Sequence, residues 1–225
     1  MKMENKKYYE AYDERYKIAH SKGISWSSDI RTPIVLATLN KYNIRPEQMI
    51  LEIGCGEGRD SRAVLDGGYN LIATDISDEA VKYCKSIMPK YKDKFSVVDC
   101  LSDKLNQKFD FIFAVAVIHM LVLDEDRDKF YRFIYDNLSK DGVALICTMG
   151  DGIYEMKTDI SDAFSLQERN HSSGKMMVTA TSCRIVSFDT FENELKRNNL
   201  VVKGKGITES FPDFDKLMYA VVVKD

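Results

Sequence analysis

The chain has 225 residues and a formal net charge of -3, from 32 Lys and Arg against 35 Asp and Glu. With 44% hydrophobic and 30% charged residues, it has the composition of one globular domain and not of a disordered or fibrous chain. The balanced charge speaks against a dedicated nucleic-acid binder, which neutralises phosphates with clustered Lys and Arg.

The first residues, MKMENKKYYE, are charged and lack the apolar core of a signal peptide. Tyr8, Tyr12, Tyr16 and Ala19 fall on one helical stripe, which usually docks a helix by packing. Trp26 follows in a Gly- and Ser-flanked loop, GISWSS. Thr32-Pro33 predicts a second helix, with Thr as cap and Pro at its first position. It must end before Pro46.

Strand-like and helix-like patterns then alternate. Short apolar runs at Ile50–Ile53, Leu71–Thr74 and Phe95–Val98 end in Gly or Asp, and longer ones cover Phe109–Val115 and Val143–Thr148. Such runs suit strands buried on both faces of a parallel sheet. A helix is predicted from Arg59 to Leu65. Ser77 can cap another, with Asp78 and Glu79 in its first turn and Val81, Cys84 and Met88 on one face. Phe130, Phe133, Ile134 and Leu138 repeat the helical pattern, and Asp141-Gly142 reads as a turn after it. Ser187 can cap a last helix, with Phe188, Phe191 and Leu195 on one face. The expected architecture is α/β, with helices on both faces of a mostly parallel sheet.

Two segments lie outside the alternation. Residues 1–45 precede the first strand, and Gly150 to Arg184 follows the fifth without a clean period. A long insertion at a strand C-terminus reads as a lid or binding loop.

The five cysteines are odd in number and include no C-x-x-C pair, so they read as free thiols. The apolar run Phe111–Leu123 is interrupted by His119 and falls short of the roughly 20 residues of a membrane span. His20, His119 and His171 lie far apart and show no zinc-ligand spacing. Together these features predict a cytoplasmic protein without a membrane partner or a metal.

The segment Glu52-Ile-Gly-Cys-Gly-Glu-Gly58 carries the most chemistry. It follows a predicted strand and opens a predicted helix, where glycines let the backbone approach a ligand and free N–H groups favour polar ligand atoms. Asp75 ends the next strand, where a carboxylate can accept hydrogen bonds from both ribose hydroxyls. The dinucleotide fingerprint G-x-G-x-x-G is not matched, because Arg59 stands at its third glycine.

This glycine loop, with an acid ending the second strand and Asp99 after the third, resembles the class I methyltransferases that use S-adenosylmethionine. FDFIFAVAVIHML and LSKDGVALI, and a terminal pair of strands at Val201–Ile207 and Lys216–Val223, extend the resemblance from about Pro46 to Asp225. It implies a Rossmann-like seven-stranded sheet with an antiparallel last strand, in one domain over 1–225, with 1–45 as a helical lid and 150–184 as an insertion. It also implies site roles. Gly54, Cys55, Gly56 and Gly58 would hold the methionine end and ribose. Asp75 would bind the ribose hydroxyls, Ile76 would lie on the adenine, Asp99 would accept from its amino group, and Cys100 would line that pocket. Ala114 and Val115 would flank the sulfonium. Arg59 has two readings, a partner of the cofactor carboxylate or a solvated helix start.

His119, four residues after Val115, is the nearest candidate base; its other reading is a packed histidine. Trp26 and Tyr16 are candidates for the substrate side of a lid, where aromatic faces attract a cation. The strand-four segment lacks the Asn/Asp-Pro-Pro-aromatic motif typical of enzymes that methylate amino groups of nucleic-acid bases, so the chain looks like the small-molecule branch. The expected activity is methyl transfer from S-adenosylmethionine to a small acceptor, leaving S-adenosylhomocysteine. A non-catalytic cofactor-sensing protein and, less favoured, a nicotinamide-dependent oxidoreductase stand as alternatives. Neither the acceptor nor the oligomeric state is readable.

Overall fold

A computed structural model describes residues 6–171, 173–208 and 216–225. The first five residues of the charged start lie outside these. The core is a seven-stranded sheet built from β1 (Met49–Ile53), β2 (Asn70–Asp75), β3 (Phe95–Val97), β4 (Phe109–Val115), β5 (Leu138–Met149), β10 (Leu200–Thr208) and β11 (Leu217–Lys224). Its spatial order is β10-β11-β5-β4-β1-β2-β3. Strands β3, β2, β1, β4 and β5 run parallel, and β11 pairs antiparallel to both β5 and β10. The Rossmann-like sheet with one antiparallel last strand is therefore present.

Alternation along the strands divides the interior into two cores. Ile50, Phe111, Phe113 and Leu145 face α2 (Pro33–Lys41), α3 (Arg59–Asp66) and α4 (Asp78–Ile87), where Leu39, Val64 and Val81 meet them. Leu51, Ile53, Ile112 and Ile146 face the other way, onto Phe130 and Ile134 of α5 (Asp124–Asn137) and Phe191 and Leu195 of α6 (Phe188–Arg197). Burial on both faces is why these strands read as continuous apolar runs. The caps of α4 and α6 form as expected: Ser77 Oγ accepts from Ala80 N and Ser187 Oγ from Thr190 N.

Three details differ from the sequence reading. Thr32 precedes Pro33 at the start of α2, but its side chain does not cap the helix. Its hydroxyl and backbone N–H both go to Asp60, each at 2.6 Å. A buried carboxylate competes better for those donors than a helix end does. Asp141-Gly142 makes no separate turn after α5; it lies within β5. Leu138 pairs with Phe109 and Val143 with Phe111, so the residues between them bulge from the ladder. Fully buried Leu138 draws the chain into the sheet directly at the end of α5.

The third difference is the segment from Gly150 to Arg184, which contains regular structure. It forms β6 (Met156–Lys157), β7 (Leu166–His171), β8 (Gly174–Thr179) and β9 (Arg184–Ile185). β7 and β8 make an antiparallel hairpin, and β6 pairs with β9. Only the β8 side buries apolar residues, Met176 and Val178, so no strong alternation marks the pair in sequence. α1 (Ala11–Ser21) joins it to the sheet: Arg15 on α1 donates twice to the Thr179 carbonyl, at 3.0 and 2.7 Å.

Candidate active site

The site forms where β1 and β4 end and the chain rises toward α1 and the hairpin. Backbone shape sets it first. Gly54, Gly56 and Gly58 all have positive φ, at 72°, 52° and 79°. A Cβ on Gly54 would run into Val117, and one on Gly56 would lie 2.8 Å from the Tyr16 hydroxyl. Gly58 serves a different contact: its Cβ would meet Met88 and Cys84, so that glycine seats α3 on the core. Ala116, just past β4, is a non-glycine residue at φ 57°. Such strain is held in place by surrounding structure and is common at functional sites.

The loop encloses a cavity. Ten expected residues line it: Tyr16, Trp26, Gly54, Cys55, Gly56, Arg59, Asp75, Ile76, Cys100 and Val115. Asp75 is fixed there by two backbone donors, with Oδ2 accepting from Gly56 N and Oδ1 from Ser77 N, both at 2.8 Å. Burial raises its pKa. Gly58, Ala114, Asp99 and His119 are not among the lining residues. Ala114 is buried within β4.

The Asp99 carboxylate accepts from Lys7 Nζ at 2.6 Å, from Ser102 Oγ and from Leu101 N, each of the latter at 2.9 Å. Burial works to raise its pKa, but these donors outweigh it and hold the group below the usual range. The N-terminal strap thus reaches the acid that the sequence assigns to adenine.

His119 lies on a short turn after β4, lines a neighbouring cavity and is 3% exposed. Burial, then the charges of Arg127 and Arg15, push its pKa down to about 3. The ring is therefore neutral at physiological pH and a weak proton acceptor. A fully buried guanidinium sets its turn, with Arg127 Nη1 donating to the Ile118 and Leu121 carbonyls at 2.8 and 3.3 Å.

Two acids of the motif contribute what their spacing did not reveal. Glu57, between the second and third glycines, collects four donors. They are His20 Nε2 at 2.8 Å, Ser25 Oγ at 2.9 Å, Trp26 N at 2.7 Å and Ser27 N at 2.6 Å. It clamps α1 and the Trp26 loop onto the glycine loop. His20 is the second hinge point: its Nδ1 lies 2.8 Å from Glu79, and its ring stacks on Tyr83. Glu57→Ala would leave the half-buried Trp26 and Ser27 amides without their acceptor, a penalty of about 1–2 kcal/mol. Amide hydrogen exchange should then accelerate by tenfold or more across residues 24–28 and hardly change in β1 and β4. Equal protection of that loop in both proteins would contradict the clamp.

Glu52 is fully buried beside Asp60 and accepts from the Ser61 hydroxyl. Burial, then the Asp60 charge, raises its pKa from 4.5 to about 8. The folded chain keeps that proton to about pH 8, while the unfolded chain releases it near pH 4.5. The stabilising contribution is therefore complete below pH 4.5 and declines as pH rises toward 8. Glu52→Gln mimics the neutral form. Its Tm should match wild type at pH 5 and exceed it by a few degrees at pH 8. A constant difference across that range would refute the assignment.

The geometry invites comparison with known proteins. A family described as "Methyltransferase domain" matches residues 51–144, the stretch from the glycine loop into β5. That stretch of the chain is thus similar to a methyltransferase domain. The chain is 30% identical over 112 residues to methoxy mycolic acid synthase MmaA3 of Mycobacterium tuberculosis (strain ATCC 25177 / H37Ra), covering 48% of this chain and 38% of that protein. It is 31% identical over 97 residues to the tRNA (carboxymethyluridine(34)-5-O)-methyltransferase of Saccharomyces cerevisiae, covering 43% and 33%. The chain thus spans well under half the length of either relative. The methyltransferase fold extends further than those alignments. An S-adenosylmethionine-dependent methyltransferase from Clostridium acetobutylicum superposes with a TM-score of 0.65 at 15% identity, over 96% of this chain and 99% of that one.

The cavity is also lined or braced by residues that sequence reasoning missed. Glu57 stands at a position that the glycine motif leaves unspecified, so only its three-dimensional neighbours reveal its contacts. Asp60 gives no signal beyond a helix-start acid, yet it lines the cavity and holds Thr32. Tyr12 was assigned to packing with the other tyrosines, and it too lines the cavity.

Proposed function

We propose that this domain transfers a methyl group from S-adenosylmethionine to a small-molecule acceptor by in-line displacement, with S-adenosylhomocysteine as product. The observation that carries this reading is Asp75, fixed by two backbone amides on the wall of a glycine-lined cavity at the ends of parallel strands. The donor set fits the cofactor. Glu57, Asp60 and Asp75 give the cavity an acidic lining suited to a cationic ligand, and Arg59 supplies one guanidinium for a carboxylate. When bound, S-adenosylmethionine supplies a methyl group already activated on a sulfonium.

The protein's own residues then have three tasks. The Gly54-Cys55-Gly56 backbone receives the methionine end and ribose, and Asp75 accepts from the ribose hydroxyls. Gly58 supports them by letting α3 close on the core. Ile76 and Cys100 line the adenine side, with Asp99 at its edge under Lys7. Ala114 and Val115 end the strand beneath the reacting centre. Tyr16 and Trp26, held down through the Glu57 clamp, exclude water, which strengthens orientation within the cavity. His119 serves as a neutral wall and not as a base, because its proton affinity is too low for that role. Catalysis is thus positional.

The single-domain reading, with 1–45 as lid and 150–184 as insertion, agrees with α1 docking on β8 over one end of the sheet. The acceptor is small because the Trp26 loop and the hairpin cover that end, and the acidic lining and net charge give a polyanion little to bind. Five free thiols support a reducing, cytoplasmic setting, and no described helix is long and apolar enough to cross a membrane. Incubation with methyl-labelled S-adenosylmethionine and a metabolite extract should yield a labelled low-mass product, identified by mass spectrometry. Label confined to RNA or protein fractions would contradict the small-molecule reading.

A further inference from the structure

Beside the glycine-loop cavity lies a second one, and the two differ in sign. The first carries Glu57, Asp60 and Asp75 against the single guanidinium of Arg59. The second is lined by the guanidinium groups of Arg15 and Arg169, with no carboxylate among its lining residues. Tyr12, Trp26 and Ser27 line both, so the cavities meet at these side chains. Resting on the methyl-transfer reading, we infer that the second cavity holds the acceptor, a small organic acid whose carboxylate is received by Arg15, Arg169 and Ser182.

Arg15 is the strongest argument. It is 4% exposed, and its guanidinium packs over the rings of Tyr12 and Trp26 at 4.7 and 4.9 Å. Its hydrogen bonds go to neutral groups, the Thr179 carbonyl and the Tyr12 side chain. Among the described residues no carboxylate pairs with it. A buried charge without a counter-ion is costly. Burial works against its charge, and the nearby Arg169 guanidinium does so as well. An anion between the two arginines would offset both penalties.

Ser182 supplies an independent observation. The residue is 3% exposed and lines the cavity, and its buried hydroxyl has no hydrogen-bond partner among the described residues. Buried hydroxyls are rarely left unsatisfied, so a ligand acceptor atom is the expected partner. A guanidinium fork matches a planar carboxylate in particular. Tyr12, Trp26 and Met149 offer apolar surface to the carbon skeleton, which points to an organic acid and not to an inorganic oxyanion.

Trp26 is the sole tryptophan, so its fluorescence reports directly on this junction. S-adenosylhomocysteine binding to the whole protein is measured first by calorimetry. Benzoate, benzyl alcohol, benzylamine and inorganic phosphate are then titrated against Trp26 emission at saturating S-adenosylhomocysteine. Benzoate is expected to bind at least tenfold tighter than each of the other three. Arg169→Ala and Ser182→Ala should each weaken benzoate, the former by tenfold or more, without changing S-adenosylhomocysteine affinity. Neutral, cationic or inorganic probes that bind as well as benzoate, or benzoate binding indifferent to both substitutions, would overturn the inference alone. Failure of S-adenosylhomocysteine to bind a folded sample would overturn the methyl-transfer reading and the inference with it.

Discussion

Asp75→Ala is expected to weaken S-adenosylhomocysteine binding by about 100-fold or more. The assigned role is acceptance of two hydroxyl hydrogen bonds by a buried carboxylate. Hydrogen bonds to a charged group contribute about 1.5–3 kcal/mol each, and about 1.4 kcal/mol corresponds to a tenfold change in affinity. The substitution also strips the Gly56 and Ser77 amides of their acceptor, so the loop itself loosens. Asp75→Asn separates the two effects. It keeps the shape and one accepting oxygen, and it should retain more affinity than alanine. Calorimetry on both variants, with circular dichroism to confirm folding, provides the check. A loss below about threefold in a folded Asp75→Ala protein would remove Asp75 from the site.

Glu194→Ala should produce the largest loss of stability, about 3–5 kcal/mol, because it leaves Arg127 charged and buried without its partner. The pair is bidentate, Nε to Oε1 at 2.8 Å and Nη2 to Oε2 at 2.6 Å, and Tyr131 Oη donates to the same carboxylate at 2.7 Å. Both side chains are essentially inaccessible to water. This pair ties α5 to α6 and, through the Ile118 and Leu121 carbonyls, fixes the turn that carries His119. In a domain of this length the expected fall in Tm is about 10 °C. Replacing both partners with apolar residues, as in Arg127→Met with Glu194→Leu, should recover much of the loss, since no charge then remains buried. A single substitution costing under about 1 kcal/mol would show that the pair is not sequestered from solvent.

The central sheet and its glycine loop were readable in sequence because each has a strong local cause. Doubly buried parallel strands produce uninterrupted apolar runs, as in Phe109–Val115, and Ser77 and Ser187 announce their helices through cap chemistry. The site residues that backbone geometry dictates, Gly54, Gly56 and Asp75, follow from the motif's position between strand and helix. What stayed hidden depends on contacts between distant segments. The β7–β8 hairpin buries one side only, so its alternation is faint. Thr32 turns from its helix end to Asp60, 28 positions later in the chain. Glu57 stands between two glycines of the motif and gathers donors from His20 to Ser27, far off in the chain. His119 had two readings from its place after β4, a base or a packed histidine. The surrounding burial and positive charge that depress it come from Arg15 and Arg127, on separate helices.

Methyl transfer by this domain requires that the glycine-loop cavity accept S-adenosylmethionine and its product. The most direct measurement is calorimetric titration of the folded wild-type protein with S-adenosylhomocysteine, alongside NADH under the same conditions. One S-adenosylhomocysteine per chain at micromolar affinity, with no heat from NADH, is the predicted result. No S-adenosylhomocysteine binding at millimolar ligand, or NADH binding as tightly, would contradict it.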